Sequence, residues 1–402
     1  MEALIEQNIL MNLAFMNLSF EEVNHFENLA RDFSKRSIGP MFENDLPDGD
    51  LSHLEKIIEK AFDIGIAASA HDKMAGNEFG IWGNCTDSSG LLTSLVLLSA
   101  IAESCGGIAM GLHSHGVAVN ILQKAAHKMT KTFSRPIPCF QDDFGVPSLK
   151  TIMSPDLDMP QKMKTEAVEA GPGYVLNGSK HFTYSLPGAD ALVVLARLEN
   201  SWCCLAVPAD SPGVTITDAG RRTGLRASKL NHVTFNNVTV PRENRIDENG
   251  ARPLVIRSLC LDWVGMCAIA VGIARGAVKA AKQYAAERYQ GGAQIEDHPV
   301  IRMLLAGSET RARTAKATVL YLKDMDPEKL TSLRAAAMAK LSVMEVCAQA
   351  VTDSLQVFGG YGYMEDFGME KRLRDVTVLK SAHGSPLYLK QLICDIDREE
   401  AR

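Results

Sequence analysis

The sequence predicts an α+β fold in which a strand-rich stretch lies between two helical ones. In the first stretch, residues 20–135, Leu51, Leu54, Ile57, Ile58, Ala61 and Phe62 recur at 3.6-residue spacing, the mark of one helix face. In the second, 136–248, short β-branched runs are punctuated by Gly, Pro, Asp and Asn. In the third, 249–400, long segments rich in Ala, Met and Leu restore the helical period.

Each element has its own warrant. Residues 1–20 are apolar enough to suggest an export signal. Glu2, Glu6 and the interruptions at Asn8, Asn12 and Asn17 argue instead for an amphipathic helix. Residues 91–101 read as a buried helix, Gly106-Gly107 interrupts, and another helix runs through 117–122. Tyr174-Val175-Leu176 leads into Asn177-Gly178, read as a hairpin turn because both central residues of a type I′ turn need positive φ. The runs at 192–196, 203–207, 214–217 and 233–240 complete a set of short strands expected to form a small barrel or sandwich. Helices follow over 264–282, 301–322 and 333–358, with a break at Asp326-Pro327 and Gly359 supplying the left-handed stop.

Composition sets further bounds. The chain has 402 residues, 46% hydrophobic and 22% charged, ordinary for a globular protein with an ample core. A net charge of −6 offers nucleic acid no electrostatic footing. Nine cysteines show neither paired CxxC spacing for zinc nor a disulfide framework, so reduced thiols in a cytoplasmic protein are expected and no metal. No apolar stretch reads as long enough to cross a bilayer.

One segment carries more information than the rest. Gln356-Val357-Phe358-Gly359-Gly360-Tyr361-Gly362-Tyr363, followed by Arg374-Asp375, is a long helix ending in a tight glycine turn that lets backbone approach a ligand. It resembles the C-terminal signature of the acyl-CoA dehydrogenases. The likeness extends through Asn177-Gly178-Ser179-Lys180-His181-Phe182-Thr183, then Gly224-Leu225-Arg226-Ala227-Ser228, and the strands at 233–235 and 238–241. It implies an N-terminal helical domain, a central β-barrel domain and a C-terminal four-helix bundle. It also implies bound FAD, an acyl-CoA substrate, a homotetramer, electron-transfer flavoprotein as electron acceptor and a place in fatty acid metabolism.

Site residues follow from the same resemblance. Thr183 would lie against the flavin ring, and the family usually has tryptophan where His181 stands. Gln141 and Ser148 fall in the flavin loop, while Arg288, Gln356, Gly359 and Gly360 would meet the flavin diphosphate across a subunit interface. A guanidinium suits that diphosphate because it is always charged and can bond two oxygens at once. His113 falls at the acyl pocket floor, Trp263 replaces an arginine that faces CoA, and Gly384 and Ser385 follow the catalytic position.

At that position the family has glutamate, and this chain has His383, within Ser381-Ala382-His383-Gly384-Ser385. The resemblance still implies that the backbone N–H of residue 383 helps to hold the thioester oxygen. A subgroup of the family takes its base from the first long C-terminal helix, and the matching residue is Asp262. Asp262 is also chemically conspicuous, since Arg257 is the only other charge from 254 to 271. Asp262 is therefore the expected base, with pairing to Arg257 or backbone as the structural alternative. His383 is the second candidate and Asp87 the third. His113 and His115, two residues apart, would not share a helix face, so a metal pair is not expected.

The resulting expectation is dehydrogenation of an acyl-CoA, the α-proton taken by a base and the β-hydride by the flavin. No arginine lies between Arg36 and Arg135 to meet a second carboxylate, so a branched or alicyclic monocarboxylic acyl group is favoured. The alternatives are a non-redox flavoenzyme on the same scaffold, of lyase or desulfinase type, and a non-catalytic acyl-CoA-binding paralogue.

Overall fold

The structure is a computed structural model that describes residues 20–39, 52–68, 80–83, 88–123, 133–141, 163–199, 201–247 and 250–400. Among these residues four α-helices come first: α1 (Phe20–Phe33), α2 (Ser52–Asp63), α3 (Ser88–Ala102) and α4 (Gly106–Leu122). Seven strands follow: β1 (Pro136–Cys139), β2 (Glu166–Ala170), β3 (Gly173–Ser185), β4 (Ala191–Leu198), β5 (Ser201–Pro208), β6 (Val214–Asp218) and β7 (Lys229–Pro241). Then come α5 (Ala251–Glu287), a two-residue-strand hairpin at 289–294, α6 (Pro299–Tyr321), α7 (Leu330–Val357), α8 (Met369–Leu379) and α9 (Pro386–Glu400). The helical, β, helical order agrees with the sequence reading.

The strands form one seven-stranded sheet in the order β1-β4-β2-β3-β7-β6, with β5 antiparallel to β4. It curls around a core of its own, in which Ile137 and Cys139 of β1 share a cluster with Val233, Phe235 and Val238 of β7. Asn177-Gly178 does not turn the chain. The hairpin closes at 171–172, and the ladder of β3 with β7 shifts register between Leu176 and Gly178. Gly178 sits at φ +125°, and a Cβ there would strike the backbone of Thr165, so its permissive backbone serves a bulge rather than a turn.

The larger core is helical and centres on α5. By length and composition α5 could cross a bilayer, contrary to the sequence reading, but 94% of its apolar stretch is buried inside the protein. It is apolar all round because α3, α4, α6, α7 and α8 pack against it. Asp375 on α8 pairs with Lys371 at 2.8 Å and accepts the Leu225 N–H at 2.6 Å, tying the bundle to the loop before β7. The eight described cysteines are free thiols.

Candidate active site

Three segments far apart in sequence converge on Asp262. Its Oδ1 accepts from His113 Nε2 on α4 at 3.0 Å, and its Oδ2 accepts from His383 Nδ1, in the α8–α9 loop, at 2.8 Å. Behind His113 stands Trp82, fully buried, whose indole N–H donates to His113 Nδ1 at 2.8 Å. An indole nitrogen only donates, so His113 Nδ1 carries a lone pair and its hydrogen sits on Nε2, facing the carboxylate. Burial works to raise the Asp262 carboxyl, but the charges and hydrogen bonds of His383 and His113 hold it well below the usual carboxylate range. Asp262 is thus an acceptor toward both rings. His383 Nε2 is left without a partner among the described residues.

Room and strain mark the same place. A Cβ on Gly265 would strike both His113 and Trp82, and one on Gly116 would strike Ile81 and Trp82, so these two glycines admit the ring pair. Trp82, His383 and Phe182 adopt φ of +61°, +48° and +54°, a region side chains rarely occupy without compensation. Asp262 and His383 line a narrow cleft with Val117, Phe140, Gln141, Phe182, Thr183 and Leu259.

Several expected residues take other parts. His113 is fully buried behind Asp262 rather than on the cleft wall, because its ring is held between Trp82 and the carboxylate. His115 is a satisfied core histidine, bonded to the carbonyls of Ala68 and Pro136 and lowered in pKa by burial. Arg257 bonds Asn120 and Glu328, so the alternative pairing of Asp262 is not made. Phe182, half exposed on a second bulge of β3, lines the cleft beside Phe140. His181, although it lines the cleft, bonds His232 at 3.0 Å. Ser385 caps α9 by accepting the Tyr388 N–H.

Trp263 is fully buried and does not face a substrate channel. Its indole N–H donates to the His383 carbonyl at 2.7 Å. Lys340 on α7 completes this clamp, donating to the carbonyls of Ala382 and, at 3.1 Å, Gly384. Burial pushes its ammonium down to about 8, against the opposing charges of Asp262 and Cys267. Sequence reasoning passed over Lys340 and Trp82. A signal for the lysine existed: it lies at helical spacing among the buried Ala336, Ala337, Val343, Met344 and Cys347, a charge on an apolar stripe. Trp82 offered none, because its meaning depends on His113.

Arg288, Gln356, Gly359 and Gly360 lie apart from the cleft. The Arg288 guanidinium stands 5.5 Å over the Tyr361 ring, reaches Gln290 Oε1 only at 3.5 Å, and has no carboxylate partner among the described residues. Gly359, at φ +57°, ends α7 as the sequence predicted. A Cβ on Gly360 would meet nothing of the chain itself, so no internal packing accounts for that glycine. A guanidinium without a counter-charge beside bare backbone fits a diphosphate. Ser148 and Asp87 lie outside the described residues.

The fold and this cleft define an acyl-CoA dehydrogenase scaffold. The chain belongs to the acyl-CoA dehydrogenase family: residues 158–238 match its middle domain and 254–394 its C-terminal domain. It is 31% identical over 229 residues to an acyl-CoA dehydrogenase of Bacillus subtilis, covering 56% of this chain and 60% of that one. It is 30% identical over 237 residues to the CarC subunit of the caffeyl-CoA reductase-Etf complex of Acetobacterium woodii, covering 58% and 62%. The matched stretch therefore spans about three-fifths of the length of these relatives. Among solved structures, butyryl-CoA dehydrogenase of Megasphaera elsdenii superposes with a TM-score of 0.76 at 21% identity, over 94% of this chain and 98% of that one.

Proposed function

We propose that this protein binds FAD and dehydrogenates an acyl-CoA thioester, with His383 taking the α-proton and Asp262 orienting and charge-balancing the ring. The observation that carries the assignment is the Asp262 carboxylate held between two imidazoles, with His383 lining the cleft and its Nε2 without a hydrogen-bond partner among the described residues. Asp262 was the base expected from sequence. A carboxylate with both oxygens occupied and its pKa depressed is a weak proton acceptor at neutral pH. It is well suited to a different task, fixing the tautomer of a histidine and stabilising the imidazolium that forms.

FAD, when bound, supplies the acceptor for the hydride that leaves the β-carbon. The chain supplies the rest. His383 Nε2 receives the proton as the α C–H bond breaks, and Asp262 holds the Nδ1–H in place throughout. Phe182, Leu259 and Val117 present apolar surface to the acyl group and exclude water. Trp82 and His113 fill the space behind the carboxylate, which favours a compact, branched or alicyclic acyl group over a long straight one.

The Arg288 surface belongs to the same reading. Its guanidinium without a counter-charge and the exposed Tyr289, Tyr361 and Tyr363 suit a second copy of the chain, completing the FAD site in a homotetramer. Electron-transfer flavoprotein is the proposed oxidant, supported by similarity to a subunit of an Etf complex.

The test is an anaerobic absorbance titration with straight, branched and alicyclic acyl-CoAs. Bleaching of the flavin band by a compact thioester is expected. A bound flavin that no thioester bleaches would overturn the reading in favour of non-redox chemistry on the scaffold.

A further inference from the structure

Three consecutive carbonyls of the loop at His383 point the same way, into the helical bundle. Lys340 Nζ bonds the first and third, on Ala382 and Gly384, and the Trp263 indole bonds the second, on His383. Across a trans peptide the N–H lies opposite its carbonyl. Fixing these carbonyls inward therefore turns the N–H groups of His383, Gly384 and Ser385 away from the bundle. None of the three has an acceptor among the described residues. The residues that carry them bend through φ of +48° and +132° at His383 and Gly384, a conformation the clamp must hold against its own strain.

The ammonium does more than tether. The first and third clamped peptides have Lys340 at the oxygen end and an unbonded N–H at the other. A cation at the carbonyl oxygen polarises the peptide so that its N–H attracts negative charge more strongly. Lys340 is fully buried and has no carboxylate in salt-bridge range among the described residues, so its charge is a cost to folding that nothing on α7 offsets. Met at the same place would satisfy the apolar stripe.

We propose that Lys340 is a positioning residue for an oxyanion site, its charge aligning and polarising the 382–385 backbone so that the His383 N–H binds the thioester oxygen as the α-proton leaves. The role rests on the dehydrogenation reading only for the identity of the anion. Trp263 assists through the middle carbonyl without adding charge.

The experiment compares holoprotein carrying Lys340→Met with wild type, using acetoacetyl-CoA as probe. This 3-oxoacyl thioester ionises to an enolate, so its bound apparent pKa, read from enolate absorbance against pH, reports oxyanion stabilisation without any redox step. In wild type the bound pKa should fall well below that of the free thioester. Lys340→Met should abolish about a tenfold share or more of that gain and slow flavin reduction by a similar factor. The dissociation constant for substrate should change less than about threefold, since the loss falls on the charged state alone. Thermal midpoint should hold or rise, which a merely structural lysine would not allow. If Lys340→Met does not fold, Lys340→Gln removes the charge while keeping one donor, and the same enolate shift is read.

An enolate pKa unchanged between wild type and variant overturns the proposal, as does a wild-type protein that leaves the probe at its free value. A loss of rate that tracks loss of folded protein also overturns it. Should no thioester bleach the flavin while the Lys340-dependent enolate shift persists, the dehydrogenation reading fails and the oxyanion site stands. Bleaching without any enolate shift does the opposite: dehydrogenation stands and the oxyanion site fails.

Discussion

The cleft at Asp262 and the surface at Arg288 are built on opposite principles. In the cleft the side chains of Trp82, His113, Asp262 and His383 are joined by hydrogen bonds within one chain, and among the described residues His383 Nε2 has no hydrogen-bond partner. At Arg288 the cation has no carboxylate partner among the described residues, a Cβ on Gly360 would meet nothing, and Tyr361 and Tyr363 are exposed. A group that must act as a base needs its orientation fixed before substrate arrives. A group that binds a large anion needs its hydrogen bonds unspent until the anion comes. On the proposed reading, the difference separates the part of the site that would do chemistry from the part that would hold a ligand.

The sharpest way to break this contrast is His383→Ala. Flavin reduction should fall by about 10³-fold while FAD stays bound, because the removed ring serves proton transfer and not cofactor binding. Asp262→Asn should cost about 10²-fold or more, since an amide cannot accept from both rings at once. Rapid-mixing absorbance on flavin-loaded protein checks both. If Asp262→Asn were the more damaging of the two and His383→Ala nearly silent, the carboxylate itself would be the base.

Next in size is the effect of pH on Lys340→Met. The lysine is held at about 8 in the folded chain, against about 10.4 when unfolded. The unfolded chain therefore binds more protons between these values, and wild-type stability rises with pH across that window. The penalty is complete below pH 8 and gone above about 10.4, and the shift corresponds to about 3 kcal/mol. Denaturant melts should show Lys340→Met the more stable at pH 7, with the gap closing as pH rises. A gap that widened with pH would mean the buried ammonium stabilises the fold.

Arg288→Ala probes the other region. Losing a charge-assisted contact to a diphosphate should weaken FAD binding by about tenfold to a hundredfold. The remaining holoprotein should reduce at the wild-type rate. Flavin content after gel filtration separates the two regions: full retention would remove Arg288 from the cofactor site.

How much of this was legible in the sequence follows from range. The helical, β, helical order was, because periodicity is local. Asp262 and His383 were both marked, one as a charge in an apolar run and one as a substitution in a motif. Their hydrogen bond, between residues 121 apart in the chain, was not, and that bond is what supports the proposal of His383 rather than Asp262 as the base. Asn177-Gly178 misled because positive φ serves a bulge as well as a turn, and only the pairing with β7 decides. Trp263 falls where the resemblance implies a residue facing CoA, but sequence position says nothing about which way an indole on a mostly buried helix points, and this one bonds the His383 carbonyl.

The smallest effect is the most discriminating about how the cleft stays rigid. Trp82→Phe keeps the aromatic bulk and deletes only the N–H that His113 Nδ1 accepts. One buried acceptor is left unmatched, at a cost of about 1 kcal/mol in a denaturant melt. The rate should change by less than about threefold, because the Asp262 carboxylate alone already demands a hydrogen on His113 Nε2 and so keeps the same tautomer. A rate loss as large as that of Asp262→Asn would mean that the indole, and not the carboxylate, sets the hydrogen on His113. The ordered chain from Trp82 to His383 would then be a single unit whose function is lost with any one of its bonds.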